Sequence, residues 1–143
     1  MSVKAILKVK GHTVVTIRPD ATVRDAVTKL SRERIGALVV SADDQTLAGI
    51  LSERDIIHAL NKYGDKLLEL TVDDLMTQTV TAAQSDMQID AVLDLMTKGR
   101  FRHMPVIENG HLVGLVSIGD AVKARLDKLE SETDQLREYI SGR

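Results

Sequence analysis

The chain has 143 residues, no cysteine and no tryptophan, and its only aromatics are Tyr63, Phe101 and Tyr139. That length suits one compact domain with a proper core, and the missing cysteines exclude disulfide scaffolds, thiolate zinc sites and cysteine nucleophiles. A net charge of −2 advertises no basic footprint for nucleic acid, and three rings cannot build a base-stacking platform, so a flat ligand would be gripped mostly by aliphatic side chains.

The N-terminus alternates apolar Val3, Ile6 and Leu7 with lysines at 4, 8 and 10, which is no signal peptide. No stretch reaches the roughly 18 apolar residues of a membrane span, so the expectation is a soluble cytoplasmic protein. Residues 2–10 read as a short amphipathic helix stopped at Gly11. Val14–Ile17 reads as a strand ended by Pro19. Ala21–Arg34 carries Val23, Ala26, Val27 and Leu30 at helical spacing, with Thr22 or Asp20 as cap. Ile35–Val40 reads as a buried strand, Ser41–Thr46 as a polar loop, Leu47–Leu51 as a strand and Ser52–Lys62 as a helix ending near Gly64. Thr71–Asp74 is a capped turn leading into Leu75 and Met76. Thr79–Ala82 reads as a strand and Met87–Lys98 as a helix. Met104–Ile107 and Leu112–Val116 flank Asn109-Gly110, a strong hairpin signal. A helix follows from Ser117.

The pattern is duplicated. Gly49, Ser52 and Asp55 recur as Gly114, Ser117 and Asp120, each pair 65 residues apart, and Asp25-Ala26-Val27 recurs as Asp90-Ala91-Val92 at the same offset. Ile35–Val40 faces Phe101–Val106 at an offset of 66. The chain therefore reads as two strand–helix–strand–strand–helix units, each too small to bury much alone, packed with pseudo-two-fold symmetry.

The repeated Gly-x-x-Ser-x-x-Asp ends a strand and starts a helix. Taken once, it is a capping box with aspartate in place of glutamate. The same geometry suits a ligand: helix-start amides and a serine hydroxyl fit a phosphate or sugar oxygen, and the aspartate can accept from two ribose hydroxyls. Both readings stand, and the duplication favours the second.

Two such units, each ending in strand, Gly-x-x-Ser-x-x-Asp and helix, resemble a tandem pair of cystathionine β-synthase (CBS) domains. Val72-Asp73-Asp74-Leu75-Met76-Thr77, Arg102-His103-Met104-Pro105-Val106 and Ser52-Glu53-Arg54-Asp55 are typical of that family, and the resemblance covers about residues 10–125. It implies an α+β fold of two βαββα repeats with added terminal helices: an N-terminal helix over 1–12, repeats over 13–66 and 77–125 with a linker over 67–76, and a C-terminal helical extension over 126–143. It also implies regulatory binding of an adenine nucleotide in clefts between the repeats, without catalysis and without a catalytic cofactor. AMP is the first expectation, with ATP, ADP or NAD(H) as alternatives.

Carried over residue by residue, the resemblance assigns Asp120 to the ribose and Ser117 to the phosphate or ribose side of one cleft. Gly36 and Ala37, with backbone near Lys10, His12 and Val15, would hold the adenine end. Arg102 and His103 stand where the family puts phosphate-facing groups, and Arg102 is the stronger phosphate ligand because its charge is permanent and its donors forked. The other cleft would use Ser52, Arg54 and Asp55, with Thr77, Val80, Phe101 and Met104 toward the base. Gly36-Ala37 replaces Arg102-His103 in the first repeat, so the two clefts are expected to differ in affinity or ligand.

The four histidines lack metal-ligand spacing. Leu115 occupies the glycine position that a nucleophile elbow requires. Beyond Ser117, Leu126, Leu129, Thr133, Leu136 and Ile140 follow 3-4-3-4 spacing, a two-heptad seam that either covers its own domain or packs on a second subunit. CBS modules commonly pair, so a homodimer is expected. The function read here is a sensor that acts on an unidentified partner protein. The rival is a structural dimerisation module whose nucleotide clefts are vestigial.

Overall fold

The computed structural model describes residues 1–141. The last two residues of the expected C-terminal extension, 142 and 143, lie outside the described residues. In chain order the elements are α1 (Val3–Lys10), β1 (Thr16–Ile17), α2 (Val23–Glu33), β2 (Ala37–Val40), β3 (Gly49–Ser52), α3 (Glu53–Tyr63), a 3-10 turn (Gly64–Glu69), α4 (Val72–Leu75), α5 (Ile89–Gly99), β4 (His103–Glu108), β5 (His111–Ser117) and α6 (Ile118–Ile140). The fold is α+β.

Contacts divide the chain into two units, 13–81 with 107–113, and 1–12 with 82–106 and everything from Gly114 on. In the first unit β1 runs parallel to β2, and β2 antiparallel to β3 with Leu38 opposite Leu51. All four residues of β2 are buried, as its unbroken apolar run requires. Ile17, Ala26, Leu30, Leu38, Val40, Leu51 and Val72 form this unit's core. The 41–46 loop is organised by Asp43, whose carboxylate accepts from the Thr46 and Gln45 amides and from the Thr46 and Ser41 hydroxyls. Those donors hold the carboxyl at a pKa of about 2.

The second unit repeats the plan. β4 and β5 pair as a hairpin, and its turn residues Asn109 and Gly110 both have positive φ (52° and 78°), as a tight turn of this hand demands. The hairpin tip belongs to the first unit, where the Leu112 amide donates to Gln45 O at 2.8 Å. Val3, Leu7, Val92, Met96, Met104, Val106 and Val116 are buried on the second unit's elements.

Two expected strands shrink. Val14–Ile17 is a strand only over Thr16–Ile17, and Thr79–Ala82 is not a strand at all. Its flanks make single bridges instead: Thr77 pairs antiparallel with Ile50 in the first unit, and Ala83 pairs parallel with Val106 in the second. The β-branched residues between them have no ladder partner, and side-chain propensity alone does not make a strand. Ala83↔Val106 is the counterpart of Ile17↔Val40, 66 residues on at both ends.

The duplication also reaches further than the motif. Ser2 caps α1 and bridges Gln88, the N-cap of α5; Thr71 caps α4 and bridges Thr22, the N-cap of α2. The amide of Val3 donates to Met87 O as that of Val72 donates to Ala21 O, and Ile89 donates to Met1 O as Val23 donates to Leu70 O. Thus α1 straps the second unit as α4 straps the first. Among the described residues no helix is long and apolar enough to cross a membrane.

Candidate functional site

Each unit presents one serine–aspartate helix start. In the first, Ser52 is the N-cap of α3 in an extended conformation: its Oγ accepts from the Asp55 amide at 3.2 Å, and its own amide donates to Asp55 Oδ2 at 2.9 Å. In the second, Ser117 Oγ accepts from the Asp120 amide at 3.1 Å and the Ser117 amide donates to Asp120 Oδ2 at 2.9 Å. Both are complete capping boxes, which satisfy two helix-end donors each. The first helical amide is also used: Glu53 N donates to Gly36 O at 2.9 Å, and Ile118 N donates to Arg102 O at 2.8 Å. Among the described residues the amides of Arg54 and Gly119 are the first-turn donors that these bonds leave unused.

These bonds place the expected residues. Gly36 stands beside Ser52 and Asp55 in its own unit, and Arg102 beside Ser117 and Asp120 in the other. Arg54 and the Arg102 side chain are exposed. Ala37 and Met104 are buried to 1 % and 0 % exposure, so their side chains belong to the packed interior. Val15 flanks the first unit's core. Val80 is half-buried in the run without strand pairing, and Thr77 is held to Ile50 through its backbone. Phe101, the sole phenylalanine, lays its ring on Gly99, where any side chain would collide with it. His103 lies half-buried on β4, and His12 is exposed after α1.

The two starts differ in charge. Lys10, from the end of α1, donates to Asp120 Oδ2 at 2.5 Å and to Leu115 O at 2.7 Å. The side chains are 37 % and 25 % exposed, so the pair is only partly withdrawn from water. Burial pushes the Asp120 carboxyl up, but the Lys10 ammonium and the Ser117 cap outweigh it and hold the pKa below the ordinary aspartate value. Asp55 has no ion pair among the described residues. The first unit uses a backbone donor where the second uses lysine: Thr77 N donates to Ile50 O at 2.9 Å, and Ile50 precedes Leu115 by the repeat offset of 65. The sequence suggests Lys10 as a backbone contributor; in the structure its ammonium is the stronger feature, and a separation of 110 residues from Asp120 leaves no local signal for it. Among the described residues no cluster of three His, Asp or Glu side chains could hold a metal ion.

Two α+β units, each starting a helix from strand, glycine, serine and aspartate, define a tandem-repeat domain protein. The CBS domain model matches residues 6–62 and 72–127, and the chain belongs to the CBS domain family. It is 33 % identical over 149 aligned residues to the mitochondrial CBS domain-containing protein CBSX3 of Arabidopsis thaliana, covering 99 % of this chain and 72 % of that protein. A crystal structure of a CBS-domain containing protein from Agrobacterium tumefaciens superposes with a TM-score of 0.85 at 43 % identity, covering 87 % of this chain and 99 % of that one. The CBS domain pair of protein MJ0100, solved in complex with 5′-methylthioadenosine and S-adenosyl-L-methionine, gives a TM-score of 0.77 at 26 % identity over 90 % of this chain and 98 % of that one.

Proposed function

We propose that the protein is a regulatory, non-catalytic sensor of an adenosyl ligand. The observation that carries this reading is the pair of serine–aspartate helix starts, each with a half-buried carboxylate and one uncommitted first-turn amide. The aspartate accepts the ribose hydroxyls, and the Arg54 or Gly119 amide with the serine O–H takes a further ligand oxygen. Arg102 and Lys10 are cations of the second start and favour a phosphorylated ligand there, AMP first and then ADP, ATP or NAD(H). The bound adenosyl compounds of the MJ0100 pair support the ligand class. A ligand changes the protein's shape only through unequal affinity for two conformations, and that shift would be read by a partner protein. We assign the working form to a cytoplasmic homodimer.

Calorimetric titration with AMP, ADP, ATP, NADH and 5′-methylthioadenosine tests this. Saturation by at least one is expected, with unfolding stability rising by about 2.7 kcal/mol at a hundred times the dissociation constant. Silence of all five at millimolar concentration overturns it. One observation favours a second reading, a structural module with vestigial sites: Lys10 already occupies the Asp120 oxygen that also serves the cap. Under that reading Asp120→Ala changes stability and nothing else.

A further inference from the structure

The outer part of α6 carries a seam that none of the described residues covers. Every residue from Leu126 to Ile140 is exposed, and the family match ends at residue 127. A helical segment of this length is marginal in water by itself, so an apolar stripe along it calls for a packing partner. The stripe is regular: Leu126, Leu129, Thr133, Leu136 and Ile140 stand at alternating three- and four-residue steps, with Leu126, Leu136 and Ile140 exposed to 60 %, 58 % and 72 %.

We propose that this seam is the contact of a parallel, in-register two-stranded coiled coil with a second copy of the chain. The charges beside it select that occupant. With Leu126 and Thr133 at a and Leu129 and Leu136 at d, the g positions are Arg125 and Glu132 and the e positions Glu130 and Arg137. In a parallel pair each g residue faces the e residue of the partner's next heptad. Arg125 then faces the partner's Glu130, and Glu132 faces the partner's Arg137. Every such pair is of opposite sign, and symmetry doubles each one. Thr133, whose hydroxyl donates to Leu129 O of its own helix at 2.9 Å, meets its own equivalent in the parallel register, like against like, whereas the antiparallel register with the same charge matching sets it against leucine. Arg125 also holds Asp90 of its own unit, which fixes the start of the seam to the folded body. Two heptads alone are short for a coiled coil; the rest of the chain supplies the anchorage. The proposal deepens the homodimer part of the reading above and does not depend on the ligand.

The full chain is tested by analytical ultracentrifugation and by disulfide trapping, which is clean because the native sequence has no cysteine. Ile140→Cys is expected to give a covalent dimer under mild oxidation, because in-register a positions lie within disulfide reach, whereas antiparallel copies would hold residue 140 of each chain far apart. Adding Leu136→Glu is expected to abolish trapping. Glu132→Arg and Arg137→Glu are each expected to weaken association about tenfold, and the double swap to restore it. A monomer at all concentrations overturns both the homodimer and the seam. A dimer in which I140C is not trapped, or in which the double swap fails to restore the single losses, overturns the seam and leaves the homodimer intact.

Discussion

Replacing Lys10 by methionine removes one charge and keeps most of the apolar stem. The lysine makes two bonds, to Asp120 Oδ2 at 2.5 Å and to Leu115 O at 2.7 Å. The lysine side chain is more than a third exposed, so solvent screening reduces the ion pair to about 1 kcal/mol or less. The carbonyl bond contributes about 1 kcal/mol more. K10M should therefore destabilise the chain by about 1–2 kcal/mol at neutral pH. The pH dependence identifies the partner. Asp120 has its folded-state pKa lowered, so its contribution is present above the unfolded aspartate value of about 3.9 and is lost as pH falls through the lower folded value. The part of the K10M cost that comes from Asp120 should be full at pH 7, shrink below about pH 4 and shrink also in molar salt. Urea unfolding of parent and variant at both pH values measures this. A K10M cost that is the same at pH 7 and in acid refutes the assignment, because only the carbonyl bond would then remain.

Asp120→Ala should cost about 1 kcal/mol through the cap and weaken adenosyl-ligand binding at least tenfold, read by calorimetry. An unchanged dissociation constant removes Asp120 from the proposed site. Ser52→Ala should cost about 0.5–2 kcal/mol in urea melts, since its Oγ holds the Asp55 amide. K10M should lower the affinity for AMP relative to 5′-methylthioadenosine in the same titrations; a constant ratio means Lys10 does not read phosphate. Gly49→Ala should destabilise more than Gly114→Ala. A methyl at 49 would sit 2.7 Å from the Thr77 backbone carbonyl, which is tied to Ile50, whereas one at 114 meets only the end of the Leu7 side chain. Thermal melts of the two variants decide it, and equal losses contradict the argument.

The elements that could be read in sequence were those whose signals are local. The helix starts at Ser52 and Ser117 and the Asn109-Gly110 turn depend on residues within three positions of one another, and each lies where its spacing puts it. The Thr79–Ala82 expectation failed because β-branched residues say nothing about whether a partner strand is in reach. The C-caps of α2 and α5 are arginines with φ of 56°, Arg34 and Arg100, and nothing in an arginine signals a left-handed residue. The equivalence of α1 and α4 left a trace that could have been followed: Ser2 and Thr71, and Leu7 and Met76, are both 69 residues apart. The longer crossing after α1 breaks the 65-residue register and disguises the match.

That longer crossing is also where the two units part chemically. After α4 the chain proceeds directly to Thr77, whose backbone pairs with Ile50 on β3. After Leu7 the helix continues through Lys8 and Val9 to Lys10, so an ammonium, not an amide, reaches the equivalent carbonyl on β5. An amide is neutral and ends its work at the carbonyl. An ammonium has two further donors, and one of them reaches Asp120. The extra residues thus convert a strand bridge into a charged contact on one of two otherwise matching helix starts. Among the described residues Asp55 remains an acceptor without a cation, whereas Asp120 becomes half of an ion pair, which a ligand at the proposed site would have to share or displace. Identical capping geometry with unequal charge is the physical basis on which the two starts would bind different ligands, or one ligand with different strength.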